Sequence, residues 1–224
     1  MIKGDTETIT KNHLHYIVEK GQKTRFKPWL GGFSSVLYDF IMKSVVFPKK
    51  IGGDINKHNE ILSQELKNIY GRRVLELATG SGSAVNFLPN DNKYTGTDIS
   101  PGLLSKAVKR FRTAGFKDVE LYVTSVHNLP FDNNIFFICL CILSLNFFDP
   151  VKKVFQEIKR VLVPGGVFIC CVPVPERSSL QSTIRGKLFS EEELSEICNA
   201  HGFEFERVPV ENGALLYFRA TLLK

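Results

Sequence analysis

The chain has 224 residues, 43% of them hydrophobic and 23% charged, with a formal net charge of +6 and an isoelectric point near 9.0. That is enough apolar material for one well-filled domain and argues against two small ones. The basic residues are scattered, with short pairs at Lys49-Lys50, Arg72-Arg73 and Lys152-Lys153, so no basic stripe or basic–aromatic module marks a nucleic-acid surface.

The five cysteines, Cys139, Cys141, Cys170, Cys171 and Cys198, form no CxxC pair, and four lie inside apolar runs. They read as reduced core residues, and the spacings for a metal site are absent. The opening MIKGDTETITKNH has no apolar signal region, and no apolar run approaches the length of a membrane span. The chain is expected to be cytoplasmic.

Residues 1–25 are polar and read as a partly mobile lead-in. Pro28–Phe47 is aromatic and apolar, with Val36, Leu37, Phe40 and Ile41 at helical spacing, and a second helical pattern follows the Gly52-Gly53 break, from Asp54 to Ile69. Strand and helix then alternate. Arg73–Leu77 is a buried strand, Ala84–Leu88 a short helix and Tyr94–Thr97 a second strand. Ser100-Pro101 opens a helix, with serine as its cap and proline in its first turn, and Gly115 stops it. Val119–Val123 and the wholly apolar Phe136–Leu143 are the third and fourth strands. Val151–Leu162 is a helix ended by Pro164-Gly165-Gly166, and Val167–Val172 is the fifth strand. Ser190 and Glu193 form a capping box. Phe203–Val210 and Ala214–Thr221 flank Asn212-Gly213, a hairpin signal that sets the final strand antiparallel to its neighbour. The pattern is that of a doubly wound α/β sheet.

The turn VLELATGSGS, residues 74–83, bears on ligand class. A phosphate loop needs Gly-Lys-Ser/Thr, whereas Ser83-Ala84 follows Gly82. A dinucleotide turn wants a third glycine or alanine where Val85 stands. Glu76, just before the glycines, would repel a pyrophosphate but suits an ammonium group. Asp98, after the second strand, is placed to accept from two ribose hydroxyls.

VLELATGSG (74–82), TGTDIS (95–100), NLPF (128–131), ILSLNFF (142–148) and EIKRVLVPGGVF (157–168) follow one another in an order and spacing that resembles the class I S-adenosylmethionine-dependent methyltransferases. Within these, they resemble the type 11 group, which includes ubiquinone and menaquinone biosynthesis enzymes. The likeness covers roughly residues 73–173, and the terminal hairpin extends it topologically. It implies an α/β, doubly wound, mostly parallel seven-stranded, Rossmann-like sheet with a C-terminal antiparallel hairpin and N-terminal helices. Residues 1–70 would form a helical lid and 71–224 the cofactor domain.

The resemblance further implies S-adenosylmethionine as cofactor. Glu76 and the backbone of Ala78, Thr79, Gly80, Ser81 and Gly82 would hold its methionine part. Asp98 would hold the ribose, with Ile99 against the adenine, Ser125 and Val126 at the adenine edge, and the Cys141–Leu143 segment closing over the methionyl end. The chain departs from the family in three places. Ala78 replaces a glycine, Ser125 replaces an aspartate that accepts the adenine amino group, and Phe137 replaces an aspartate at the start of the fourth strand.

Methyl transfer from a sulfonium needs mainly alignment, so no acid–base pair is required unless the acceptor loses a proton. Asn146, Tyr16 and Tyr38 are the candidates for orienting an acceptor. His13, His15, Asp39 and His58, from the same N-terminal part, could also orient an acceptor, although each taken singly reads more readily as a structural or surface residue. The partner implied is a small, apolar or aromatic methyl acceptor, with a homodimer left open and no metal. The alternatives are a non-catalytic binding module on the same fold and a nicotinamide-dependent oxidoreductase.

Overall fold

The structure, a computed structural model, describes residues 2–4, 6–19, 21–24, 26, 38–177 and 184–224; the side chains of Tyr38 and Asp39, and the helical positions Val36 and Leu37, lie outside the described residues. Among the described residues, ten strands form one sheet: β1 (Glu7–Lys11), β2 (Leu14–Glu19), β3 (Gln22–Lys23), β4 (Arg73–Leu77), β5 (Lys93–Asp98), β6 (Val119–Val123), β7 (Phe136–Ile142), β8 (Leu162–Pro173), β9 (Phe203–Arg207) and β10 (Leu215–Leu222). The helices are α1 (Tyr38–Ile41), continuing as a wide π-helical stretch over Met42–Ile51, then α2 (Ile55–Leu66), α3 (Pro101–Thr113), α4 (Val151–Val161) and α5 (Glu191–Ala200).

The order β6-β5-β4-β7-β8-β10-β9 gives the expected seven strands, parallel except for β10, which runs antiparallel to both β8 and β9. The chain reverses its direction of winding between β4 and β7. In open α/β sheets a crevice forms at the strand carboxyl ends beside such a switch.

The N-terminal lead-in differs from expectation. Asn12 and His13, both at positive φ (54° and 63°), make a two-residue turn between β1 and β2. β2 then pairs in parallel with β6 through His15–Tyr122 and Tyr16–Val123, and His15 stacks on Tyr122 with ring centroids 4.7 Å apart. Burial of Leu14 and Val18 holds the strand down. Two shorter revisions follow. Ala84–Leu88 is a single 3-10 turn over Ser83–Asn86. The Pro164-Gly165-Gly166 sequence lies within β8 as a bulge, where pairing with β7 jumps from Phe136–Leu162 to Ile138–Val167.

Alternation along each strand divides the core into two apolar clusters. β4 sends Leu75 and Leu77 to one, with Val154, Phe155 and Ile158 of α4 and Leu194 and Cys198 of α5. It sends Val74 to the other, with Ile61, Leu62 and Leu66 of α2 and Leu104, Ala107 and Phe111 of α3. Each fully buried side chain of this kind contributes about 1.5–3 kcal/mol, so both helix layers are firmly seated. All five cysteines are buried and free. The Ser190 hydroxyl accepts from Glu193 N while the Glu193 carboxylate accepts from Ser190 N, completing the capping box. No helix among the described residues is long and apolar enough to cross a membrane.

Candidate functional site

A cavity of about 260 Å³ opens at the carboxyl ends of β4 and β7, below α1 and α2. Glu76, Ala78, Thr79, Gly80 and Ser81 line it from the β4 turn, and Ile142 and Leu143 from the end of β7. Met42 and Phe47 line it from the π-helical stretch that follows α1, and Ile55 and His58 from α2.

The turn after β4 has the backbone its sequence suggests. Ala78, Gly80 and Gly82 all have positive φ, at 52°, 57° and 85°. At Gly82 a Cβ would sit 3.0 Å from the Cα and Cβ of Ala107 and 3.1 Å from Phe111 Cε2, so glycine lets the turn press against α3. Thr79 N donates to Thr97 O at 2.8 Å and Gly80 N to Asp98 Oδ2 at 2.8 Å, which ties the turn to β5. Leu143, also at positive φ (59°), is held by donation from its N–H to Cys171 O at 2.8 Å. Non-glycine residues in this region cluster at functional sites because surrounding structure must hold them there.

Glu76 is buried at 2% exposure. Burial pushes its carboxyl up to about 7, offset in part by hydrogen bonds from the Tyr94 and Thr79 hydroxyls and reinforced by the charge of Asp98. The Tyr94 hydroxyl donates directly to Glu76 Oε2, and a Thr79 Oγ1–Tyr94 hydroxyl contact at 3.1 Å completes the group. Asp98 is also buried. Desolvation raises its pKa, and N–H donation from Ser100, Gly80 and Ile99 opposes the rise. A carboxylate has about four lone-pair directions, so one ribose hydroxyl can still be accepted beside Gly80, Ser100 and Ile99.

The remaining candidates spread around this centre. Gly82, Asp98, half-buried Ile99, Ser125 and Val126 are not among the described residues lining the cavity, although Asp98 adjoins it through Gly80. Ser125 Oγ accepts from His127 N at 3.2 Å, closing its own turn, and Val126 packs in the cluster with Leu129 and Phe131. Cys141, expected to close over the methionyl end with Ile142 and Leu143, is the penultimate residue of β7 and packs in the opposite core cluster, leaving Ile142 and Leu143 at the cavity.

Asn146 Nδ2 donates to Arg185 O at 2.6 Å, and Asn146 O accepts from Lys187 N at 2.8 Å, so this residue anchors the 184–187 segment. Tyr16 lies on β2 with Lys23 Nζ 4.3 Å from its ring centroid. The Tyr38 side chain lies outside the described residues. Phe137 stands at the start of β7, the end remote from the cavity, beneath the Arg72 guanidinium at 4.9 Å.

His58, one of the N-terminal residues that could orient an acceptor, lines the cavity. It is 3% exposed, and burial drives its pKa down to about 4, so the ring is neutral. Its Nδ1 lies 2.9 Å from the Tyr217 hydroxyl, which accepts from Asn212 Nδ2 at 3.1 Å. Asn212 in turn pairs with both backbone groups of Asp54, the cap of α2. The sequence did carry a signal: position 58 falls on the apolar stripe of α2 between Ile55 and Leu62.

A family described as "Methyltransferase domain" matches residues 75–170. The phthiotriol/phenolphthiotriol dimycocerosates methyltransferase of Mycobacterium leprae (strain TN) is 31% identical over 102 residues, covering 44% of this chain and 37% of that protein. The demethylmenaquinone methyltransferase of Symbiobacterium thermophilum is 33% identical over 106 residues, covering 45% and 42%. The chain thus spans less than half the length of these curated relatives. Among solved structures, an S-adenosylmethionine-dependent methyltransferase from Clostridium acetobutylicum superposes with a TM-score of 0.69 at 19% identity, over 84% of this chain and 98% of that one. The [4+2]-cyclase SpnF superposes at 0.63 with 18% identity, over 75% and 80%. The matched segment begins inside β4, ends inside β8 and contains the glycine turn and Asp98. Residues 75–170 of the chain are thus similar to a methyltransferase domain, and the strand order is that of a Rossmann-like sheet shared with the solved S-adenosylmethionine-dependent methyltransferases.

Proposed function

We propose that this chain transfers a methyl group from S-adenosylmethionine to a small, apolar or aromatic acceptor. The observation that carries this reading is the pairing, across one hydrogen-bonded turn, of two buried carboxylates, Glu76 and Asp98, at the switch point of the sheet. A buried carboxylate whose pKa sits near 7 gains from a cationic partner, and the amino-acid end of the cofactor carries an ammonium. The glycine turn lets the ligand approach the backbone closely, and Asp98 takes the ribose. The donor sulfonium is already activated when bound, so the residues of the chain bind, align and exclude water. Ile99, Ser125 and Val126 would flank the adenine, with Ser125 as the weakest of these contacts because its hydroxyl is engaged in its own turn.

The apolar character of the acceptor is supported by the wall of Met42, Phe47, Ile55, Ile142 and Leu143 and by relatives named for acting on a menaquinone precursor and on dimycocerosates. The lid expected over 1–70 narrows to α1 and α2, since β1–β3 belong to the sheet. Asn146, Tyr16 and Tyr38 are weaker choices for acceptor contacts than the residues of that wall. Transfer of labelled methyl from S-adenosylmethionine to a panel of naphthols and long-chain alcohols tests this reading. One methylated product supports it. A folded protein that binds the cofactor but methylates nothing favours a non-catalytic module, the reading to which the engaged Ser125 lends weight.

A further inference from the structure

His58 is a neutral imidazole in the cavity wall, attached through Nδ1 to a hydrogen-bond relay that leads away from the cavity. The relay orders itself from its far end. Asn212 Oδ1 accepts from Asp54 N at 2.8 Å and Asn212 Nδ2 donates to Asp54 O at 2.9 Å, so this two-point pairing fixes which way the amide faces. The second Nδ2 proton of Asn212 therefore points at the Tyr217 hydroxyl, 3.1 Å away, and occupies one of its lone pairs. The phenol proton has two places to go: His58 Nδ1 at 2.9 Å, or the Cys171 sulfur, which also adjoins this hydroxyl. A phenol donating to an imidazole nitrogen makes a much stronger bond than one donating to a thiol, which is a weak acceptor. Nδ1 is then the acceptor, and the ring's only proton is on Nε2.

We infer that His58 determines acceptor specificity by donating a hydrogen bond from Nε2–H to an oxygen of the methyl acceptor, with Tyr217 and Asn212 as positioning residues that set its tautomer. The inference rests on the methyl-transfer reading above. One observation assigns this contact to the acceptor and not to the cofactor: His58 comes from α2, on the wall with Phe47 and Ile55, and not from the glycine turn that carries the cofactor candidates. The acceptor is accordingly an apolar ring bearing a carbonyl, phenol or phenolate oxygen. A donor held against that oxygen orients the ring and is left unpaired by a pure hydrocarbon, which is how a buried polar group rejects the analogue lacking its partner.

The test uses the full chain, 15N-labelled, with long-range proton–nitrogen spectra of the imidazoles assigned through His58→Gln. The Nε2–H tautomer is expected between pH 5.5 and 8, and Tyr217→Phe should abolish that preference while circular dichroism shows the fold retained. With saturating S-adenosylhomocysteine, 1-tetralone should shift the His58 Nε2 signal and bind about tenfold more tightly than tetralin, the same ring skeleton without oxygen. His58→Gln, whose amide nitrogen replaces Nε2–H, should keep that preference and His58→Leu should lose it. If His58→Leu does not fold, the tetralone–tetralin comparison on the native chain still decides. An Nδ1–H tautomer, equal binding of the two probes, or a His58 signal that moves with S-adenosylhomocysteine alone overturns the inference. If S-adenosylhomocysteine does not bind at all, it is the methyl-transfer reading that fails, and the tautomer measurement is unaffected.

Discussion

The backbone N–H of Gly80 donates to Asp98 Oδ2 at 2.8 Å, so the turn that follows β4 and the acid that ends β5 act as one unit. Ser100 N donates to the other oxygen, Oδ1, also at 2.8 Å. Asp98→Asn leaves one of these N–H groups facing an amide NH2. It should cost about 1–3 kcal/mol of stability, the range for a buried donor left unsatisfied. S-adenosylhomocysteine affinity should fall on the order of 10- to 100-fold, because the ribose loses a charged acceptor at the same time. Denaturant titration and calorimetry on the same sample read both effects. Unchanged affinity in the folded variant would remove Asp98 from the site.

Glu76 makes stability depend on pH with an unusual sign. Its folded-state pKa is raised, from 4.5 to about 7, so between those values the folded chain holds a proton that the unfolded chain has released. Stability therefore falls as pH rises through that window and levels off above it, by on the order of 3 kcal/mol at most from this group. Glu76→Gln should flatten the pH 4.5–7 segment of the denaturation profile and be the more stable protein at pH 8. The same variant should bind the cofactor more weakly. A native profile that rises across this window would contradict the assignment.

Ala78 holds φ at 52°, a conformation that costs an L-residue roughly 1–2 kcal/mol. Ala78→Gly relieves that cost against the extra freedom glycine has in the unfolded chain, for a net gain of about 0.5–1 kcal/mol. For a chain of this size that is a rise of roughly 1–4 °C in melting temperature. A drop in melting temperature would show that the alanine methyl is needed for packing at the turn.

Gly82 and Gly71 both have positive φ, 85° and 61°, but only at Gly82 would a Cβ meet Ala107 and Phe111; at Gly71 nothing lies within 4 Å. Gly71→Ala should cost about 0.5–1 kcal/mol, the backbone strain less the freedom that alanine removes from the unfolded chain. Gly82→Ala should cost about 1–3 kcal/mol more, from overpacking against α3. Equal costs, measured by chemical denaturation, would mean the turn does not press on that helix.

The local signals that rest on one side chain and its neighbours were readable in the sequence. Ser100 before Pro101 and the Ser190–Glu193 box cap their helices as read, and Asn212-Gly213 set β10 antiparallel. Features set by distant partners were not readable. The alternation in ETITK and LHYIVE, separated by Asn12-His13, is a hairpin signal that the polar composition of the first 25 residues outweighed; its stability comes from pairing with β6, a hundred residues on. Asn212 reads as a turn residue, yet its side chain clamps Asp54 and supports Tyr217. His58 reads as one histidine among five, and only the fold brings it to the cavity beside Glu76. Glu76 and the glycine turn were legible because strand, acid and glycines are contiguous in sequence.

The central claim is that the Glu76–Gly82 turn and Asp98 together form an S-adenosylmethionine site. Isothermal calorimetry of the folded chain with S-adenosylhomocysteine tests it most directly. One site per chain is expected, with binding that survives Gly71→Ala and is lost in Asp98→Ala. Absence of binding by the folded native chain, or full binding by a folded Asp98→Ala variant, would contradict it.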